Sequence, residues 1–316
     1  MDVRIYDVIY RSGSPPSPST HILPAVIFCL QAAADGRKLL PQDVLYGAAG
    51  LLFSNLWYDR DLKAIYDISS LPSNFIASID RLFHMAGYDY EIARKWGGVY
   101  TREYFWRRII EHLRLGLPSL LLPSSPENDV LCVTGADEQT GCLLAGRNAP
   151  PIHMDDCYER LDGIFLIGRA VSSHPATFTI DTLLQIARYS VTAAFFLINA
   201  VPHNPDPAVE ELLFQHLFCD MDLSLAVLRR HARFLSVCRR EAVNFLNRLL
   251  SVNQTSGNMR KLRKAICLYK QSYQCLDRLA DAGKATERYA VAIDLDHKEK
   301  EAIAIINEVV TNHDSH

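Results

Sequence analysis

Covalent chemistry at neutral pH needs a nucleophile and a group that activates it, and the candidates in this chain are Cys29, Cys132, His21 and the cluster His153, Asp155, Asp156 and Cys157. A thiol attacks as its thiolate, which the unpaired N–H groups and dipole of a helix N-terminus stabilise. In His21-Ile-Leu-Pro-Ala-Val-Ile-Phe-Cys-Leu30, Pro24 suits the first helical position and no breaker follows, so a helix is expected from about Leu23. The place that favours a thiolate is then held by Thr20 and His21. Cys29 lies five residues beyond Pro24, about 7.5 Å along the axis, and reads as a core cysteine. His21 is a general base or ligand contact in the functional reading, and a group satisfying the helix entrance in the structural one.

Cys132 falls in a short apolar run that reads as a strand, where a thiol is either inert core or the best alternative nucleophile. His153, Asp155, Asp156 and Cys157 are metal-ligating types without the spacing of a known site, so they read as a polar loop, and no metal or cofactor is expected. Arg260-Lys-Leu-Arg-Lys264 reads as a solvated helix face. Arg229, Arg230 and Arg233, with His231 beside them, form a guanidinium cluster suited to interdomain salt bridges or an acidic ligand. Trp57, Tyr58, Trp96 and Trp106 read as core or interface aromatics, with a substrate-facing wall as the alternative.

Composition narrows the partners. A formal net charge of −3 gives no electrostatic reason to expect nucleic acid or an anionic membrane. The eight cysteines include no C-x-x-C pair and no dense framework, which favours a reducing, cytoplasmic setting. No signal peptide and no membrane span are expected.

The elements that must position these residues follow from periodicity. Arg4 to Tyr10 can form a strand, and the proline- and serine-rich Ser12 to Ser19 an irregular approach to the first helix. The small residues of Leu45-Tyr-Gly-Ala-Ala-Gly-Leu-Leu-Phe53 allow close backbone approach. Helices are expected over Ser73 to Ala86, stopped by Gly87, and over Arg102 to Leu115, capped by Thr101 and ended by Gly116. Ser119 to Leu122, Val130 to Thr134, Cys142 to Gly146 and Gly163 to Ile167 read as strands, with 136–141 as a hairpin loop. After Val171 the pattern is helical: Ile180 to Ala200, then roughly Asp222 to Leu250, Met259 to Ala282 and Ala285 to Val310. The fold class is therefore α+β, a domain over residues 1–170 followed by a helical bundle over 171–316.

Leu45-Tyr-Gly-Ala-Ala-Gly with Leu56-Trp57, Ala86-Gly-Tyr-Asp-Tyr90, Arg107-Arg-Ile-Ile-Glu111 leading to Leu115-Gly-Leu-Pro118, and Cys132-Val-Thr-Gly-Ala-Asp137 followed by Leu143-Leu-Ala-Gly146 together resemble the butirosin-biosynthesis acyltransferase N-terminal domain family. That family is papain-like and related in fold to the double-glycine leader peptidases; the likeness covers most of residues 20–170. The tail, with Arg229-Arg-His-Ala-Arg-Phe-Leu235 and Glu299-Lys-Glu-Ala-Ile303, looks like the bundle that follows this domain in bacterial members. The resemblance implies natural-product biosynthesis and a cleft between helical and sheet halves, where active members pass an acyl group from a carrier through a thioester. Such chemistry needs a thiolate, an imidazole, an orienting group and oxyanion donors. Here the nucleophile slot falls at Thr20 or His21, the imidazole slot at Asp129, and no Gln precedes the first helix, although Asn148 occupies the orienting position. By that layout Thr20, His21, Asp129 and Asn148 are the expected ligand contacts, and His21, Asp129, Cys132 and Asn148 the catalytic candidates. Three functions follow: a degenerate papain-like cleft binding a small acyl, amide or peptide-like ligand that is free or carrier-linked; an acyltransferase or amidase using Cys132 or His21; and an interaction scaffold acting through the bundle.

Overall fold

The computed structural model describes residues 2–4, 22–33, 40–53, 73–95, 100–124, 130–145, 150–171, 179–199, 225–252, 256–282 and 285–312. These form an α+β protein in two compact units. Unit 1 comprises Met1–Leu40 and Asp61–Ala176, and unit 2 comprises Pro41–Arg60 and Thr177–His316.

Unit 1 holds all the strands found among the described residues. β1 (Asp2–Arg4) is followed by α1 (Ile22–Ala33), whose Leu23, Ala25, Val26, Ile27, Cys29 and Leu30 are buried. Burial all round is what its uninterrupted apolar sequence demands. The helix opens two residues ahead of Pro24, which stands within the first turn, where its missing N–H costs nothing. The β1 strand lies earlier than the expected run from Arg4 to Tyr10, the rest of which is outside the described residues.

α3 (Ser73–Ala86) buries Ile79, Leu82 and Phe83 and ends at Gly87, whose φ of 73° is the left-handed stop. The chain turns directly into β2 (Tyr88–Arg94), a strand not expected from the sequence because only Tyr88 and Ala93 of its seven residues are buried. α4 (Arg102–Arg114) is capped by Thr101, whose Oγ1 accepts from the Tyr104 N–H at 3.3 Å, and buries Phe105, Ile109 and Leu113 on one face.

The remaining elements are β3 (Ser119–Pro123), β4 (Leu131–Val133), β5 (Gly135–Asp137), β6 (Cys142–Leu144), β7 (Ile152–His153), α5 (Met154–Glu159) and β8 (Leu161–Ala170). They complete two antiparallel four-stranded sheets, ordered β1-β5-β6-β7 and β2-β8-β3-β4. The expected single strand over Val130 to Thr134 continues across both sheets. Thr134 is the corner, its N–H and Oγ1 both donating to the Leu144 carbonyl at 2.9 and 3.3 Å. α1 packs on β3 and β8, the two central strands of the second sheet.

Unit 2 is helical among its described residues: α2 (Gln42–Ala48), α6 (Ile180–Asn199), α7 (Leu225–Val252), α8 (Ser256–Asp281) and α9 (Ala285–Asn312). α7 packs on α8 and α8 on α9 around Leu235, Cys275, Leu276, Leu279 and Leu295. The helix expected from Met259 begins three residues earlier, so that Ser256 and Gly257 are the first residues of α8. The larger difference concerns 41–53, which the continuous 1–170 reading placed with the sheets. Those residues cluster with the helices because the Ser190 hydroxyl donates to the Gly47 carbonyl at 3.0 Å and Arg248 grips Asp43 through two bonds of 2.9 and 3.0 Å. A Cβ on Gly47 would lie 2.4 Å from Ile186 Cγ2, so the close backbone approach expected of this segment is made, to α6. No described helix is long and apolar enough to cross a membrane.

Candidate thiol site

Thr20, His21, Asp129 and Asn148 lie outside the described residues, as do Trp57, Tyr58, Trp96 and the side chains of Arg230 and His231. Of the expected catalytic candidates, Cys132 is the one whose surroundings are described. It stands at the centre of β4, the edge strand of its sheet, opposite Leu120 of β3. Its half-buried side chain meets α1: the Cys132 Sγ is 3.2 Å from the Cys29 Sγ. Two thiols 103 positions apart in sequence are thus in contact within unit 1.

Their environments differ. Cys29 is fully enclosed by the apolar wall of α1, and burial first, then the hydrogen bond and charge of Cys132, push its pKa well above the ordinary thiol value. At neutral pH Cys29 is a protonated thiol, suited to donating to the Cys132 sulfur. The same direction holds at other thiols: burial pushes Cys157 up to about 11 and Cys238 up to about 12, and raises Cys275. In each case burial is the largest cause, and it acts against the thiolate.

Comparison with protein-family models, curated proteins and solved structures returns no match. Function here therefore rests on the residues themselves.

The loop read as polar around residues 153–157 is ordered into β7 and α5. Cys157 is buried, whereas Asp155 is exposed and forms an ion pair with Arg102 of α4. That pairing first, and His153 nearby, hold the Asp155 carboxyl below the usual carboxylate range. His153 Nδ1 lies 3.3 Å from both the Asp155 carboxylate and the Asp155 N–H, which it caps. Cys142, half-buried, is directly opposite His153 across the β6–β7 ladder, and its neighbour Leu143, opposite Ile152, is buried. These residues fasten α5 to α4, and no group of three His, Cys, Asp or Glu able to hold a metal occurs among the described residues.

Unit 2 carries its polar groups differently. Arg239 is wholly buried on α7, donating from Nε to both carboxylate oxygens of Glu299 at 2.8 and 2.9 Å and from Nη1 to the Leu52 carbonyl at 2.9 Å. Its guanidinium carbon is 5.7 Å from the Tyr269 ring centre, and Tyr269 stacks on Phe53 at 5.4 Å. Burial disfavours the charge on Arg239, but Glu299 outweighs it and the pKa is raised. The basic run 260–264 is a face on α8, with Leu262 buried and Lys261 and Lys264 paired to Glu308 and Glu301 of α9. Arg229 and Arg233 are exposed, and Trp106 is half-buried.

The sequence reads Cys29 as core and Cys132 as either core or an alternative nucleophile, and their contact is not among its expectations. The signal available was slight: both are flanked by apolar residues on an element that a helix-on-sheet fold must pack together. The Arg239–Glu299 pair carried no signal, since each residue sits among other charges at helical spacing.

Proposed function

We propose that residues 1–170 make up a papain-like ligand-binding region, of the butirosin-acyltransferase N-terminal type, in which the thioester chemistry has lapsed and a groove for a small acyl, amide or peptide-like ligand is retained. The observation that carries this reading is Cys29. It is the cysteine of α1, the helix packed against an antiparallel sheet, and it is sealed in the core as a protonated thiol. The nucleophile slot at the start of that helix falls at Thr20 or His21, and the thiol the helix does carry is shut away from any ligand. On this reading Thr20, His21, Asp129 and Asn148 are the polar groups that meet the ligand.

A thermal-shift screen of carrier-linked acyl groups, amino acids and short peptides tests it, because a ligand of the native state raises the melting temperature. His21→Ala and Asp129→Ala should each weaken binding by about 1–3 kcal/mol, roughly 5- to 150-fold, with the fold intact. A ligand whose affinity ignores both substitutions would overturn the groove assignment.

A second reading, acyl transfer through Cys132, is favoured by the half-buried state of that thiol on an edge strand. The two are separated by iodoacetamide at neutral pH: slow labelling fits the binding domain, and rapid single-site labelling at Cys132 fits the enzyme.

A further inference from the structure

We propose that Cys29 and Cys132 form a reversible disulfide when the protein meets a hydroperoxide, making this pair an oxidation site that ties α1 to the edge strand β4. The inference stands apart from the ligand reading and rests on geometry. The two sulfurs are already in contact at 3.2 Å, and a disulfide requires them to come roughly 1.1 Å closer, to about 2.05 Å. The partners sit on different elements that the unit's core holds together, so the thiols stay adjacent without any rearrangement of chain path.

Unequal exposure sets the order of events. Cys132 is half-buried and can be reached by a molecule as small as hydrogen peroxide, whereas Cys29 is wholly enclosed. In the first step the Cys132 thiolate, its proton released to solvent, attacks one peroxide oxygen. The O–O bond breaks, leaving Cys132 as a sulfenic acid and expelling hydroxide, which takes up a proton to become water. In the second step the Cys29 sulfur attacks the Cys132 sulfur, the S–O bond breaks, and the Cys29 proton leaves with the hydroxyl as a second water. Two thiols lose two electrons and one peroxide gains them. Cys29 acts as the resolving thiol, and its proximity protects Cys132 from the irreversible sulfinic state. A small thiol such as dithiothreitol reverses the reaction by exchange at the accessible Cys132 sulfur.

The full chain, freed of reductant, is treated with a slight excess of hydrogen peroxide, blocked with N-ethylmaleimide and mapped by mass spectrometry without reduction. Cleavage at acidic as well as basic residues separates Cys132 from Cys142, because Glu138 lies between them. The expected result is a 29–132 cross-linked peptide that dithiothreitol abolishes, with a melting temperature raised by about 5–10 °C in the oxidised protein. In Cys29→Ala, Cys132 should remain a sulfenic acid that dimedone traps. Three outcomes overturn the proposal: Cys132 carried to the sulfinic acid in the wild-type chain while Cys29 stays reduced, a disulfide joining other cysteines instead, or both thiols unchanged at excess peroxide.

Discussion

The two units treat buried polarity in opposite ways. In the core of unit 2 a full ion pair, Arg239–Glu299, is sealed from water and satisfied by a backbone carbonyl, and a second carboxylate, Asp43, is buried against Arg248. Among the described residues of unit 1 the fully buried polar side chains, Cys29, Ser78, His112, Ser119 and Thr134, carry no full charge at neutral pH; Arg81 and Asp162 are half-buried, and ion pairs such as Arg102–Asp155 and Arg114–Glu138 are open to solvent. A buried charge must have its partner or the fold pays several kcal/mol, so the charges of unit 2 are committed to fixing helix against helix. A neutral buried group demands less, about 1–3 kcal/mol when it is left without a hydrogen bond. Unit 1 is accordingly the place where a thiol can change its chemical state without dismantling the core.

The sharpest way to break this contrast is Glu299→Ala, which strands a buried guanidinium. It should destabilise unit 2 by about 3–5 kcal/mol in urea unfolding, whereas replacing both partners by apolar residues, Arg239→Met with Glu299→Leu, should be close to neutral. If the single substitution costs less than about 1 kcal/mol, the pair is wet and the contrast fails.

Unit 1 should respond instead to changes of backbone fit. Gly163 of β8 lies against β2 so closely that a Cβ there would sit 2.5 Å from the Ala93 carbonyl oxygen and 3.2 Å from the Arg94 Cα, both backbone atoms that cannot swing aside. Gly163→Ala should cost about 1–3 kcal/mol and lower the urea midpoint of the sheet-containing unit. A neutral result would mean that β2 shifts freely on β8.

The smallest effect concerns pH. His112 is buried on α4, and burial first, then the Arg108 charge, lower its pKa from the ordinary value of about 6.5. The folded state thus holds the neutral ring, while the unfolded chain takes up a proton near pH 6.5. The resulting stability is fully present above that value and is lost as pH falls from there through the folded pKa. Urea midpoints at pH 7.5 and 5.5 should differ more for the wild-type chain than for His112→Leu; equal differences would place His112 in contact with water.

How much of this was legible in the sequence follows the range of the forces involved. α3 and α4 were readable to within a residue, because Gly87, Thr101 and Gly116 act on their immediate neighbours and the apolar spacing recurs each turn. β2, β5 and β7 were not: β2 buries only two of its seven residues, β5 and β7 are three and two residues long, and each exists by virtue of partners elsewhere in the chain, β2 being held by β8 some seventy positions on. The Cys29–Cys132 contact was invisible for the same reason. Each cysteine taken alone is a small apolar side chain, and only the packing of α1 on the face of the sheet makes them neighbours.

The assignment of Pro41–Arg60 to the helical unit also has a consequence in time. Val44, Leu45, Leu51, Leu52 and Phe53 are covered in the folded protein by helices that begin at Ile180 and beyond. A ribosome adding about 5–20 residues per second finishes the whole of Asp61–Ala176 before the first of those helices emerges, leaving an apolar hook uncovered for roughly 6–23 s. A fragment cut at residue 170 would wear that hook permanently. Such a fragment is an aggregation hazard for a reason unconnected with the stability of its own sheets, and a separable sheet domain is better obtained by also excising the hook.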